Sequence, residues 1–159
     1  MKHIFIVNPT AGRGRTLGIS NNIKKVCEEE QIDYEIIYTN KKCEATKIAS
    51  KIKGRNIVFA VGGDGTINEV LNGLIGSKNI LGVVPAGSGN DFYRSLEKIK
   101  DEMPLIDVGE VNGKYFLNVV SIGIDAEIGD NAALMKKIKV PRTQIYNASI
   151  VYTFFKYKF

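Results

Sequence analysis

Over residues 1–103, short apolar runs alternate with longer stretches in which apolar residues recur every three or four positions. The short runs predict buried strands, and the longer stretches predict helices that each present one apolar stripe. The predicted strands are Lys2–Val7, Asp33–Tyr38, Asn56–Val61 and Asn79–Val84, and the predicted helical stripes are Ile19–Cys27, Ala45–Ile52, Ile67–Ile75 and a short one that follows Asn90 or Asp91.

This alternation of strand and helix indicates an α/β fold, in which a parallel sheet carries helices on both faces to give three layers. In such a sheet, ligands bind beyond the carboxyl ends of the strands. The loops that begin at Asn8, Thr39, Gly62 and Pro85 each follow a predicted strand. We therefore expect these loops to lie together at one edge of the sheet.

The pattern changes after residue 103. Alternating apolar residues end at Asn112-Gly113, which is typical of a hairpin turn, and Lys114–Ser121 and Asp125–Ile128 are candidate strands beyond it. We predict an α/β domain in residues 1–103 and the incomplete start of an antiparallel β-rich second domain in residues 104–159. Helical segments are predicted at Asn131–Lys139 and from a break at Pro141 to about Tyr157.

The composition is that of an ordinary globular protein, with 44% hydrophobic and 25% charged residues in a chain of 159. No stretch approaches the ~18 uncharged apolar residues that predict a membrane-spanning helix. The N-terminal apolar run ends at Asn8-Pro9, too early for a signal peptide, and Cys27 and Cys43 show no metal-binding or redox spacing. We expect a cytoplasmic protein, and a homo-oligomer is compatible with the sequence.

The net charge of +5 is unevenly placed along the chain. All 17 acidic residues lie at or before Asp130, and only basic charged residues follow it. Because the part before Asp130 is close to neutral, it lacks the positive stripe typical of a nucleic-acid-binding face, and we expect no nucleic-acid partner. The basic residues near the C-terminus fit either attraction to anionic lipid headgroups, peripheral to a membrane, or a solvated helix face.

The candidate chemistry begins with Gly62-Gly63-Asp64-Gly65, directly after the most apolar predicted strand. Its glycines allow positive φ angles and close approach of a ligand, and Thr66 and Glu69 have the spacing of a capping box. Free N–H groups at such a helix start bind anions. An acidic residue there is expected to handle Mg²⁺, a bound water or the proton of an attacking hydroxyl, unless Asp64 only accepts a backbone hydrogen bond in a tight turn.

Two further glycine-rich loops follow predicted strands. Residues 85–92 offer Ser88 and two glycines to a phosphate or a ribose, although Asn90 and Asp91 also suit a simple helix cap. The spacing Gly12-x-Gly14-x-x-x-Gly18 misses the dinucleotide fingerprint by one residue, and no Walker A motif is present. Because three such loops are expected at one sheet edge, we interpret them as one ligand site rather than three unrelated turns.

Together these motifs resemble a known family, the catalytic domain of diacylglycerol kinases, sphingosine kinases and bacterial soluble lipid kinases. The resemblance covers nearly all of residues 1–130. The segments that carry it are Asn8-Pro9-x-x-Gly12, Gly62-Gly63-Asp64-Gly65-Thr66, Asn68-Glu69-Val70-Leu71-Asn72-Gly73-Leu74, Pro85-x-Gly87-x-x-Asn90-Asp91-Phe92, Ile106-Asp107-Val108-Gly109 and Asn118-x-x-Ser121-x-Gly123-x-Asp125.

The resemblance implies ATP and Mg²⁺ in a cleft between the two domains, and transfer of the γ-phosphate to the hydroxyl of a diacylglycerol-like lipid at the membrane surface. It implies that Asp64 is catalytic, either by organising a metal–water network or as a base, and it assigns no metal ligand. The residues implied to hold the nucleotide are Asn8, Pro9, Thr10, Ala11, Gly12, Thr39, Gly62, Gly63, Asp64, Gly65, Thr66, Ile67, Asn68 and Ser88.

One departure from the family concerns length. Family members are about twice as long, and bacterial members take metal ligands and a catalytic carboxylate from the later part of the second domain. The resemblance therefore implies a truncated chain that binds nucleotide but has little or no kinase activity. Two alternatives stay open: a kinase of a soluble substrate, similar to NAD kinases, and a non-catalytic nucleotide-binding fragment. The motifs Asn8-Pro9-x-x-Gly12 and Asn90-Asp91-Phe92 favour the lipid kinases.

Overall fold

Four parallel strands form the central sheet of the computed structural model, which describes residues 1–101, 103–135 and 144–157. They are β1 (His3–Val7), β2 (Tyr34–Tyr38), β3 (Ile57–Gly62) and β4 (Ile80–Pro85). The strand order is β2-β1-β3-β4, and every pairing is parallel. Each strand begins and ends within one residue of its predicted bounds, so the predicted parallel sheet is confirmed.

The connecting helices cover both faces of this sheet. They are α1 (Arg15–Glu29), α2 (Glu44–Ala49), α3 (Asp64–Leu74) and α4 (Asp91–Leu96). Side chains alternate along β1, so that Ile4 and Ile6 belong to the core under α2 and α3, whereas Phe5 and Val7 belong to the core under α1. The predicted three-layer α/β architecture is confirmed.

The carboxyl ends of β1 and β3 are anchored in these cores. Ile6, Val7, Ala60 and Val61 have no accessible surface. Full burial of a valine or isoleucine side chain contributes about 1.5–3 kcal/mol. The loops that leave the two central strands therefore start from fixed positions.

Gly73 sets how closely α2 and α3 pack. A Cβ at this position would lie 2.5 Å from Ala49 Cβ and 2.5 Å from the Thr46 carbonyl oxygen. We expect Gly73→Ala to lower the free energy of unfolding by about 1–3 kcal/mol, because the overlap outweighs the higher helix propensity of alanine. Denaturant unfolding measures the change. Gly18→Ala in α1, where nothing lies within 4 Å of the added Cβ, is the matched control and should stabilise instead; equal effects of the two variants would contradict the packing argument.

An antiparallel hairpin, β5 (Gly109–Val111) and β6 (Lys114–Phe116), follows α4 and turns at Asn112-Gly113 as predicted. The Asn72 side chain holds this hairpin to α3. Its Nδ2 donates to the Tyr115 carbonyl at 2.8 Å, and its Oδ1 accepts from the Tyr115 N–H at 3.0 Å. The hairpin is thus fixed to the helix that begins at the Gly62-Gly63-Asp64-Gly65 motif.

Two strand predictions beyond the hairpin turn are wrong. The predicted strand Lys114–Ser121 is too long, because β6 ends at Phe116 where its pairing with the short strand β5 ends. The predicted strand Asp125–Ile128 is helical and lies within α5 (Ile124–Met135). Four residues of alternating polarity do not separate a strand from a helix, and the longer stretch carries its apolar residues at helical spacing.

The chain divides into two compact units, Met1–Asn118 and Val119–Phe159. The first holds the sheet and the hairpin. In the second, the described residues form α5 and α6 (Ile145–Lys156), which pack on each other. The predicted division of the chain after residue 103, into an α/β domain and the start of a second domain, stays a prediction.

Helix α6 buries two polar side chains together with Ile145 and exposes several apolar ones. Ser149 and Thr153 are fully buried, and the Thr153 hydroxyl accepts a 2.8 Å hydrogen bond from Asn131 of α5. Phe154 and Phe155 are 71% and 82% exposed. Among the described residues, no helix has both the length and the apolar character needed to cross a membrane. The basic residues Lys136, Lys137, Lys139, Arg142 and Lys158 and the predicted break at Pro141 lie outside the described residues.

Candidate nucleotide-binding site

The loops after β1 and β3 are joined at the carboxyl edge of the sheet through Asn8. Its side-chain amide donates to the Thr66 hydroxyl of α3 at 3.2 Å. Its Oδ1 accepts from the Thr10 N–H at 3.1 Å and from the Thr10 hydroxyl at 2.9 Å. Asn8 thus shapes its own loop and fixes it to the start of α3.

A short 3₁₀ helix, Ala11–Gly14, brings the first loop against the loop after β4. Gly12 has a φ of +56°, and a Cβ at this position would overlap the Ala86 carbonyl oxygen. The Arg15 guanidinium spans the same gap, because Nε donates to the Gly12 carbonyl at 3.0 Å and Nη2 to the Gly87 carbonyl at 3.4 Å. The two loops are therefore in main-chain contact, which only glycine at position 12 permits.

The turn between β3 and α3 is tighter than the sequence predicts. Helix α3 begins at Asp64, so Thr66 and Glu69 lie inside the helix and the predicted capping box is wrong. Instead, the Thr66 hydroxyl accepts the hydrogen bond from Asn8. A capping box requires a residue with non-helical backbone angles in the first position, and here Gly63 occupies the cap.

The glycines of this turn allow neighbouring groups to pack closely against the main chain, and they do not adopt unusual backbone angles. Gly62, Gly63 and Gly65 do not have positive φ angles, so that prediction is wrong. A Cβ on Gly62 would overlap the Thr66 side chain, and one on Gly63 would lie 3.1 Å from the Gly87 Cα. A Cβ on Gly65 would meet nothing within 4 Å, so this residue faces open space.

Asp64 connects the turn after β3 to the turn after β4. Its Oδ1 accepts a 3.1 Å hydrogen bond from the Phe92 N–H in the first turn of α4. Asn90 has a left-handed φ of 58° and exchanges two hydrogen bonds with the Gly87 main chain, and neither it nor Asp91 caps the helix through its side chain. The predicted cap of α4 by Asn90 or Asp91 is therefore wrong. The side chain that accepts from the first turn of α4 is Asp64, which belongs to α3.

The loop between β2 and α2 is shaped by two carboxylates. Glu44 accepts hydrogen bonds from the N–H groups of Asn40 and Lys41, and the bond from Asn40 is the main reason that its pKa is lowered. Glu69 of α3 accepts a 3.1 Å hydrogen bond from the N–H of Cys43, which has a left-handed φ of 61°. Both carboxylates thus stabilise an irregular loop at the edge of the site.

Two adjoining pockets of about 490 and 450 Å³ open between these loops. Asn8, Lys42, Thr66 and Glu69 line both of them. The first pocket is further lined by Pro9, Thr10, Thr39, Asn40, Lys41 and Ala45, and the second by Ala11, Gly12, Gly63, Asp64, Gly65, Gly87, Ser88 and Gly89.

The pockets bring together most of the residues that the resemblance implied for the nucleotide. Gly62, Ile67 and Asn68 do not line them. Gly62 ends β3, Ile67 is 1% exposed within the core, and Asn68 is exposed with its carbonyl bonded to Asn72. Whether the lining residues bind a nucleotide stays a prediction at this point.

Three basic residues at the site were not predicted from the sequence. Lys41 and Lys42 follow the carboxyl end of β2 and enter the pocket lining, and Arg15 joins two loops. The position of the two lysines directly after Thr39-Asn40 was a usable signal, because this loop was expected at the same sheet edge. No sequence signal identifies the contact made by Arg15.

The site suits an anionic ligand with several acceptor oxygens. In helix geometry the N–H groups of Asp64 and Gly65 have no intrahelical acceptor, and Gly65 is open to an approaching group. Lys42 supplies a positive charge in both pockets. Within the described ranges, no group of three histidine, cysteine, aspartate or glutamate side chains could hold a metal ion. The residues present fit phosphate groups, with Asp64 as one carboxylate beside them.

The catalytic domain of diacylglycerol kinases is the known family that matches this chain, over residues 2–113. A diacylglycerol kinase of Bacillus subtilis is 36% identical over 138 residues, covering 75% of this chain and 45% of that protein. One from Staphylococcus saprophyticus is 32% identical over 134 residues, covering 75% and 44%.

A crystal structure of a diacylglycerol kinase from Bacillus anthracis is also similar, with a TM-score of 0.59 and 31% identity, covering 88% of this chain and 55% of that one. The chain thus spans about half the length of these relatives. The family match over residues 2–113 includes every loop at the carboxyl edge of the sheet. The chain therefore belongs to the family of diacylglycerol kinase catalytic domains.

Proposed function

We propose that this chain is the nucleotide-binding part of an ATP- and Mg²⁺-dependent lipid kinase that phosphorylates the hydroxyl of a diacylglycerol-like lipid at a membrane surface. The observation that carries the proposal is the joining of three loops around one pair of pockets, through the Asn8–Thr66 and Asp64–Phe92 hydrogen bonds. The lipid acceptor is supported by family membership and by relatives that are named diacylglycerol kinases.

In this proposal the main chain does most of the nucleotide binding. The N–H groups of Asp64 and Gly65, at the positive end of the α3 dipole, bind phosphate oxygens. The Ser88 hydroxyl offers a further donor in the lining of the second pocket. Thr39 is 7% exposed and its N–H donates to the Val7 carbonyl, so it shapes the wall of the first pocket more than it reaches into it.

In this proposal Asp64 is the group that faces the cation. Its Oδ1 is engaged by the Phe92 N–H, so Oδ2 is the oxygen that it can offer to Mg²⁺ or to a water bound to Mg²⁺. When bound, Mg²⁺ neutralises the charge that develops on the transferred phosphoryl group. Asp64 itself orients the ligand and, through Phe92, keeps the turn after β4 in place.

We propose that the chain alone transfers phosphate weakly or not at all. Phosphoryl transfer requires charge neutralisation and positioning around the whole reacting group. The described residues supply one wall of that environment, with Asp64 and Glu69 as the carboxylates of the pocket lining. An assay of labelled phosphate transfer from ATP to diacylglycerol in mixed micelles measures the activity. Sustained turnover by the purified chain would refute this part of the proposal.

Nucleotide choice tests the proposal against the alternative of a kinase similar to NAD kinases. We expect ATP with Mg²⁺, at a hundred times its dissociation constant, to raise the melting temperature by about 5–11 °C, because a ligand that binds only the folded state stabilises it. NAD at the same concentration should change it by less than about 1 °C. A larger shift with NAD would favour the alternative, and no shift with any nucleotide would reject a nucleotide site altogether.

A further inference from the structure

The charges of the second pocket raise a question about phosphate binding. Its lining contains two carboxylates, Asp64 and Glu69, and one cationic side chain, Lys42. The Arg15 guanidinium lies beside this lining but donates to the Gly12 and Gly87 carbonyls, so Lys42 is the described cationic side chain of the lining without such partners. A phosphate group next to two carboxylates therefore needs a cation from the protein in addition to any bound metal ion.

Lys42 is free to take this role. It is exposed, and in the described part of the chain it forms none of the ion pairs that Lys2, Lys24, Lys25 and Arg94 form. Lys42 also lines both pockets, so the residue stands where they adjoin. A lysine that only solvates the surface would not be expected at the boundary shared by two ligand-sized cavities.

Glu69 fixes the main chain next to this lysine. Its Oε1 accepts from the N–H of Cys43, the residue that follows Lys42 and has left-handed backbone angles. Its own carbonyl accepts a 2.9 Å hydrogen bond from the Thr46 hydroxyl of α2. The loop that carries Lys42 is thus held to α3, the helix whose start forms the anion site.

We propose that Lys42 contacts the polyphosphate of the bound nucleotide and that Glu69 is a positioning residue that orients the Lys42 loop toward it. This inference rests on the proposed nucleotide site. It assigns to Lys42 and Glu69 the preference of that site for ATP over nucleotides with fewer phosphate groups. Glu69 acts through the main chain of Cys43, so an uncharged amide oxygen at the same place should serve almost as well.

Calorimetric titration of the full chain with adenosine, AMP, ADP and ATP tests the role of Lys42. We expect Lys42→Ala to weaken ATP binding about tenfold, as loss of one charge-assisted hydrogen bond implies, with a smaller loss for ADP and no change for adenosine. Lys42→Arg should retain most of the affinity. Lys47→Ala removes the same charge from an exposed position of α2 outside both pockets and is the matched control, with an expected change of less than about twofold.

The role of Glu69 is tested with a conservative variant and a double mutant. Glu69→Gln should bind ATP at least as tightly as the parent, because the amide keeps the acceptor for the Cys43 N–H and removes one of the two carboxylates near the phosphates. Glu69→Ala should bind ATP more weakly than Glu69→Gln, because it also loses that acceptor. The double variant Lys42→Ala/Glu69→Ala should lose little more than Lys42→Ala alone, because both changes remove one contact. Fully additive losses would overturn the positioning role, since they would mean that Glu69 acts independently of Lys42.

These outcomes separate the inference from the proposed function. If the parent binds ATP and Lys42→Ala binds it equally well, Lys42 is a solvated surface lysine and the inference fails while the nucleotide site stands. If the parent binds no adenine nucleotide, the proposed function fails first. Equal losses for adenosine and ATP in Lys42→Ala would also overturn the inference, because they would show a contact to the nucleoside instead of the phosphates.

Discussion

Asp64→Ala should lower the free energy of unfolding by about 1–2 kcal/mol, because the first turn of α4 loses the acceptor of the Phe92 N–H. The same change should abolish any strengthening of ATP binding by Mg²⁺, since Asp64 is the carboxylate proposed to face the cation. Denaturant unfolding measures the first effect, and calorimetric titration with ATP in the presence and absence of Mg²⁺ measures the second.

Asp64→Asn separates these two roles of one side chain. The amide keeps an oxygen for the Phe92 N–H, so the free energy of unfolding should fall by less than about 0.5 kcal/mol. It carries no negative charge, so the effect of Mg²⁺ on ATP binding should be lost as in the alanine variant. If the asparagine variant retained the full effect of Mg²⁺, Asp64 would have no part in handling the cation.

Gly12→Ala should be the most damaging single substitution in the first loop. The added methyl group would overlap the Ala86 carbonyl oxygen, which belongs to the main chain and has no rotamer with which to give way. The φ of +56° adds strain for any residue with a Cβ. We expect a loss of about 2–4 kcal/mol in the free energy of unfolding and at least a tenfold loss in ATP affinity as the two loops separate.

Gly14→Ala is the matched control for this prediction. Gly14 also has a positive φ, of 85°, but nothing lies within 4 Å of the Cβ that alanine would add. It should therefore show the backbone strain alone, about 1 kcal/mol. Losses of equal size at the two positions would mean that contact between the loops contributes nothing to stability.

The sheet and its helices were predictable because each element carries its own signal. The apolar runs of β1 and β3 and the spaced stripe of α3 are bounded by Asn8-Pro9, Gly62-Gly63 and Gly76, and these bounds and lengths distinguish the strands from the helix. The meeting of the loops after these strands followed from parallel topology alone. Prediction failed where segments were short, as in Asp125–Ile128.

The details of the site depend on contacts between distant residues, which local patterns do not encode. Asp64 and Phe92 are 28 positions apart, and the hydrogen bond between them replaces the local cap that Asn90 suggested. The capping-box spacing of Thr66 and Glu69 is real in the sequence, but Glu69 bonds to Cys43, 26 positions away. Side chains whose spacing suggested local hydrogen bonds are therefore bonded to residues that are distant in the sequence.

Gly63 and Gly87 touch through their main chains, with a Cβ on Gly87 only 2.5 Å from the Gly63 Cα. That wall of the site is thus made of polypeptide backbone, and its contour is set by the lengths of two turns instead of by side-chain chemistry. Variation in ligand preference is then expected from the side chains of the lining, among them Lys41 and Lys42. To bind another phosphorylated compound, the segment between β2 and α2 would be exchanged first. An insertion into either glycine turn would change the separation of Gly63 and Gly87 and therefore the width of the site.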